Sequence, residues 1–295
     1  MLIGISKYDH SCFPNTVLVF NGYQAVLRPL VTGVDVNDPS KAFISYVDIA
    51  RSKYQRQKEL YEKWYFYCEC SRCKGKEDDL LTSIKCPNTN CDQPIVITEE
   101  SEPVKQDCSK CGAKISTEYI LKAQVFMKAL PKSFGFQNGS EEVKKAKIYL
   151  DNARKLLHPT NIYYCRLLTA YMQICPENEQ CQVNVDSLKR VCDVYKRCLP
   201  AMDRHIGFQL LHIVRALIEK KQRSEAVQFA YEAMQIFEVC LGMDHPYYLQ
   251  TLGLWTFLDN KAKKTDQELL NLMNFNYNRP VNLGEILEKV QSLGL

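Results

Sequence analysis

No run in this 295-residue chain reaches the roughly 18 apolar residues that a membrane span needs, so no segment reads as transmembrane. The opening residues MLIGISKYDHSC lack the basic stretch and long apolar core of a secretory signal. An excess of one sign of charge is missing too, with 38 Lys and Arg against 34 Asp and Glu. The formal net charge is +4, too mild to argue for nucleic acid as a partner. The missing secretory signal favours a reducing compartment, where closely spaced thiols serve metal or redox chemistry rather than disulfides. The length suffices for two or three domains, and 46% hydrophobic content is ordinary for a globular protein.

Cysteine, by contrast, is plentiful. Of 14 in the chain, eight lie between Cys12 and Cys111. CECSRC places Cys68, Cys70 and Cys73 in a C-x-C-x2-C array that can face one ion. Tetrahedral zinc takes four ligands, and Cys12 is the nearest unassigned cysteine on the N-terminal side. Such a closed thiolate site would be structural; the alternative is three ordinary thiols in a loop. Cys86, Cys91, Cys108 and Cys111 follow as C-x4-C-x16-C-x2-C, with Gly112 after the last ligand, which reads as a zinc ribbon. Redox chemistry at its CxxC is the competing reading, and no βαβ pattern surrounds it. Between these pairs, QPIVITEESEPVKQD suits a strand and an exposed acidic tip. The ribbon could bind nucleic acid or protein, but few basic residues lie near it, which favours a structural spacer.

Elsewhere the periodicity divides the chain. Residues 16–32 read as a hairpin turning at Asn21-Gly22, and AFISYVDIA (42–50) as another strand. Residues 51–63 read as a charged helix. From about 119 to 260, helical patterns dominate and form a weak internal repeat. Its copies are 146–168, 188–211 and 226–252, each a helix, a short turn and a helix. The period is roughly 43 residues, longer than the ~34 of a tetratricopeptide repeat. In the last copy, Ala226, Ala230, Ala233, Phe237 and Leu241 share one face. A packing stripe suits them better than a peptide groove, because a repeat cannot bury its apolar face alone. Gly242 is a candidate helix stop, and Asp244 a candidate cap for a helix with Pro246 in its first turn. The tail, 275–295, reads as one short amphipathic helix.

Three stretches carry a family resemblance. DHSCFPN (9–15) resembles the NHSCxPN signature of SET-domain lysine methyltransferases, ISYVDI their following strand, and YFYCECSRC their post-SET cysteine segment. The order, with helical repeats behind, is similar to the SMYD (SET and MYND) branch. The resemblance covers residues 1–75 by motif and 119–260 by architecture. It implies S-adenosylmethionine-dependent methylation of a lysine-bearing segment of a protein substrate, histone or not. It implies that Tyr46 is the active-site tyrosine, that Asp9, His10 and Phe66 contact the cofactor, and that Cys12, Cys68, Cys70 and Cys73 hold the post-SET zinc.

Two positions depart from the family pattern. Asp9 replaces the usual Asn, exchanging a donor-and-acceptor amide for a carboxyl group. Trp64 stands where a second tyrosine is usual, a bulkier group that donates only. The resemblance also implies a first SET half and a MYND finger ahead of residue 1. The chain is therefore expected to be N-terminally truncated, and weakly active or inactive alone.

The fold expected is α+β. A C-terminal part of a SET β-fold takes 1–66, the post-SET zinc segment 67–82 and the zinc-ribbon insertion 83–118. A tetratricopeptide-like all-α domain follows at 119–274, then the tail helix. Two zinc ions and S-adenosylmethionine are the expected cofactors. A protein partner on the helical repeats is the second kind of function the pattern allows. The expected localisation is cytoplasm, nucleus or both, with neither nucleic acid nor membrane as partner.

Overall fold

The computed structural model describes residues 4–131, 140–174, 183–258 and 264–273; the expected tail helix lies outside them. In chain order the strands are β1 (Thr16–Asn21), β2 (Gln24–Pro29), β3 (Gln106–Asp107) and β4 (Lys114–Ile115). The helices are α1 (Lys53–Trp64), α2 (Ser71–Lys74), α3 (Thr117–Ala129), α4 (Ser140–Leu156) and α5 (Ile162–Ile174). They continue with α6 (Val185–Cys198), α7 (Arg204–Glu219), α8 (Arg223–Cys240), α9 (Pro246–Leu258) and α10 (Asp266–Met273). None of the helices described is long and apolar enough to cross a membrane. The described residues form two compact units: one gathers those within 4–45, 183–192 and 199–273, the other those within 46–174 and 193–198.

In the first unit, β1 and β2 pair antiparallel with Asn21 opposite Gln24. The turn therefore centres on Gly22-Tyr23, one residue later than the sequence suggested. Gly22 has φ +57°, which places glycine at the first central position of a primed turn matched to strand twist. The expected strand at 42–50 does not form. Its beginning makes only a parallel bridge, between Ile44 and His10. Side chains take up the neighbouring backbone groups instead. Asn15 Oδ1 accepts from Phe43 N at 2.8 Å, Asn15 Nδ2 donates to Lys41 O at 2.7 Å, and Thr16 Oγ1 donates to Phe43 O at 2.8 Å.

The helices of this unit pack through small residues. Ala226, Ala230, Ala233 and Phe237 of α8 are all fully buried, as a packing stripe requires. Opposite them, a Cβ on Gly207 of α7 would lie 2.6 Å from the Phe237 ring, so only hydrogen fits there. Gly242 stops α8 with φ +105°, its N–H bonding Phe237 O at 3.0 Å. The cap of α9 is His245 rather than Asp244. His245 O accepts from Leu249 N at 3.1 Å, and its Nδ1 accepts from Tyr247 N at 3.2 Å.

In the second unit, α1 starts at a reciprocal capping box. Ser52 Oγ accepts from Gln55 N at 3.2 Å, and Gln55 Oε1 accepts from Ser52 N at 3.4 Å. The ribbon hangs on short pairings: Ile84 exchanges both backbone hydrogen bonds with Ile95, and β3 pairs with β4 for two residues each. The segment after Ile95 has the expected exposed acidic tip at Glu100–Glu102, but not all of its acids face solvent. Glu99 is buried and accepts a hydrogen bond from Tyr163 OH of α5. Gln124 of α3 donates to Thr98 O and Ser101 O at 2.7 and 3.1 Å. Helices α5, α7 and α9 begin at 162, 204 and 246, an even step that agrees with the sequence repeat.

Candidate functional site

The aromatic residues singled out by sequence come together in the second unit. Tyr46 lies 5.4 Å from Trp64 and 6.5 Å from Phe66, centroid to centroid, the latter edge-on at 89°. One backbone joint explains how residues two apart reach the same ring. Tyr65 ends α1 in the left-handed conformation, φ +60° and ψ +32°, while its N–H still bonds Tyr61 O at 3.1 Å. In a continued helix, residues two apart do not face the same side. The left-handed residue breaks that period, and its own side chain is 81% exposed.

Asp9 and His10 lie in the first unit. Asp9 O accepts from Ile44 N at 3.0 Å and Ser11 N donates to Ile44 O at 2.9 Å, so the opening motif is tied to the residues that lead by chain into Tyr46. Asp9 is exposed and His10 half-buried. His10 Nε2 lies 3.2 Å from the sulfur of Cys12, which is fully buried in the same unit.

Two groups of thiols form within the second unit. The sulfurs of Cys68, Cys70 and Cys73 lie within 4.8 Å of one another. Gln57 of α1 clamps the first of them, giving to Cys68 O and accepting from Cys68 N, both at 2.8 Å. Cys70 is the N-cap of α2, and its N–H points at Cys68 Sγ at 3.5 Å. Behind them, Arg56 and Arg72 both bond the carboxylate of Asp78, and all three side chains are buried. Periodicity gave no signal for this network, which joins α1, α2 and the 3₁₀ turn at Glu77–Thr82. Only the place of Arg72 inside CECSRC hinted at it.

Cys86, Cys91, Cys108 and Cys111 form the second group, again within 4.8 Å. Cys86 and Cys111 are 3.6 Å apart and Cys91 and Cys108 3.7 Å, sulfur to sulfur. Tetrahedral zinc with Zn–S near 2.3 Å needs sulfurs about 3.8 Å apart, whereas a disulfide needs about 2 Å. The donor set therefore fits a zinc ion. Gly112, at φ +69°, turns the chain so that its N–H and the Cys108 N–H both bond within the loop. Burial pushes the Cys86 thiol up to about 12. The Ala113 N–H pulls the exposed Cys111 thiol down to about 6.

No protein-family model matches the chain. Curated proteins match over 82% of it, and three of them serve as examples. The histone-lysine N-methyltransferase ASHR1 of Arabidopsis thaliana is 27% identical over 254 residues, 52% of its own length. The N-lysine methyltransferase SMYD2-A of Danio rerio is 20% identical over 244 residues, 51% of its length. The N-lysine methyltransferase SMYD2 of Homo sapiens is 18% identical over 243 residues, also 51%. The chain spans about half the length of these relatives.

Proposed function

From the likeness to these lysine methyltransferases we propose that the chain is of the SMYD type and carries part of a site for S-adenosylmethionine-dependent N-methylation of protein lysine. The observation that supports this reading is the packing of Trp64 and Phe66 against Tyr46. S-adenosylmethionine, when bound, supplies an electrophilic methyl group. Methyl transfer to a neutral amine demands alignment more than acid–base force. The Tyr46 hydroxyl is the group we assign to orient that amine. We assign the rings beside it to the wall of the lysine channel, where Trp64, bulkier than tyrosine, would narrow the room left for a methylated lysine. We assign Phe66 to the flat face of the cofactor's purine. Asp9 and His10 are assigned to its polar end, where a carboxyl group suits a cationic centre.

We further propose that Cys12 completes the Cys68, Cys70 and Cys73 set as a structural zinc site, and that Cys86, Cys91, Cys108 and Cys111 hold a second zinc. The helical region beyond residue 119 is assigned to contact with protein partners. Cytoplasm and nucleus are the assigned locations. Calorimetry with S-adenosylmethionine tests the reading directly. Saturable binding that weakens in Phe66→Ala supports it, and labelled methyl transfer to protein lysine is expected to fall about 10²-fold in Tyr46→Phe. No binding at millimolar cofactor overturns it.

A further inference from the structure

Arg56 projects from α1 and is fully buried. Its Nη1 donates to Arg51 O at 2.6 Å. Its Nη2 donates to Asp78 and lies 3.7 Å from Cys73 Sγ. Arg72 holds the other carboxylate oxygen of Asp78 through Nε at 2.9 Å and anchors Ile49 O through Nη1 at 2.8 Å. One carboxylate thus fixes two guanidinium groups, and the first is aimed at a sulfur of the CECSRC array.

A guanidinium stays charged in any protein setting, and its planar fork holds a direction that a lysine does not. A charged donor bonds a thiolate more strongly than a neutral thiol. Zinc bound by several thiolates is a centre of excess negative charge, and burying it calls for a compensating positive group. In the same array Cys68 Sγ is met by a neutral donor instead, the Cys70 N–H at 3.5 Å.

We infer that Arg56, held by Asp78, is a positioning residue for the Cys73 thiolate, tightening metal at the Cys68, Cys70 and Cys73 group. The inference rests on the zinc reading above. It is tested on the zinc-loaded full chain, exposed to graded chelator and then alkylated, with protection read cysteine by cysteine by mass spectrometry. In Arg56→Met the chelator concentration that half-exposes Cys68, Cys70 and Cys73 is expected to fall about 10- to 100-fold, the usual effect of losing a ligand's outer partner. The half-point of Cys86, Cys91, Cys108 and Cys111 is expected not to move. Arg56→Lys keeps the charge without the fork and is expected to fall between. Leu60→Ala opens a cavity in the same helix and serves as the structural control; its half-points are expected to match wild type. An unchanged Arg56→Met, or a Leu60→Ala shift just as large, overturns the inference. Should circular dichroism show Arg56→Met unfolded, Arg56→Lys decides, and an unchanged half-point there overturns it. If Cys68, Cys70 and Cys73 of the wild type never gain protection from zinc, the zinc reading itself fails and the inference falls with it.

Discussion

Cys68, Cys70 and Cys73 follow a capped helix and back onto buried charge, whereas Cys86, Cys91, Cys108 and Cys111 sit on turns and loops beside two-residue strands. The first group has scaffolding that exists without an ion: the Gln57 clamp, the α2 cap and the Arg56–Asp78–Arg72 network. The second is held at its base by bridges from Ile84 to Ile95 and Leu157 and at its middle by Glu99 and Gln124, while its cysteine ends have their own turns and two-residue strands. Short strand pairs of this kind are marginal without further support. The same ligand chemistry thus rests on two supports: in one the protein prepares the site, and in the other the ion would organise the protein.

Metal removal should separate the two most sharply. Two zinc ions per chain are expected by elemental analysis, and one in Cys12→Ser. A ribbon-type zinc contributes an apparent ~10–16 kcal/mol to the folding of small domains. On chelation, amides of residues 86–115 are expected to lose protection from hydrogen exchange while those of α1 keep theirs. Equal loss in both regions would erase the contrast. Next in size is Asp78→Ala, which strands two buried guanidinium groups and is expected to destabilise the second unit by about 3–5 kcal/mol in denaturant titration. A loss under 1 kcal/mol would mean the scaffold of the first group is not the network described.

The smallest effect concerns Glu99, which ties the ribbon's middle to α5. Burial, set against hydrogen bonds from Ser52 and Tyr163, raises its carboxyl above the ordinary range. The protonated form is therefore the one the fold holds better. Its stabilising contribution is complete below the ordinary glutamate value and is lost as pH rises through the raised one. Glu99→Gln keeps an acceptor for Tyr163 and removes that loss. Its melting temperature should match wild type in acid and exceed it by about 2 °C at neutral pH. A gap that narrows toward neutral pH would contradict this.

Local spacing made the thiol groups legible in sequence, because ligands two to five residues apart on turns need no tertiary information. The small-residue stripe of α8 was legible for the same reason. The strand at 42–50 misled because its β-branched residues speak for extended backbone but not for who bonds it, and Asn15 and Thr16 do so from far away in sequence. The turn slipped by one residue because Asn21-Gly22 and Gly22-Tyr23 both offer the glycine. Glu99 and Arg56 were illegible altogether: a charged residue reads as solvated until its distant partners are known.

Tyr65 shows how unevenly this chain should tolerate change. Its side chain stands largely in solvent and ought to accept many replacements, glycine most readily, since only the φ of +60° is demanding. The length of the joint is another matter. One residue inserted or removed between Trp64 and Phe66 would swing one ring away from Tyr46. Variation at this point should thus appear in the identity of the residue and never in the count.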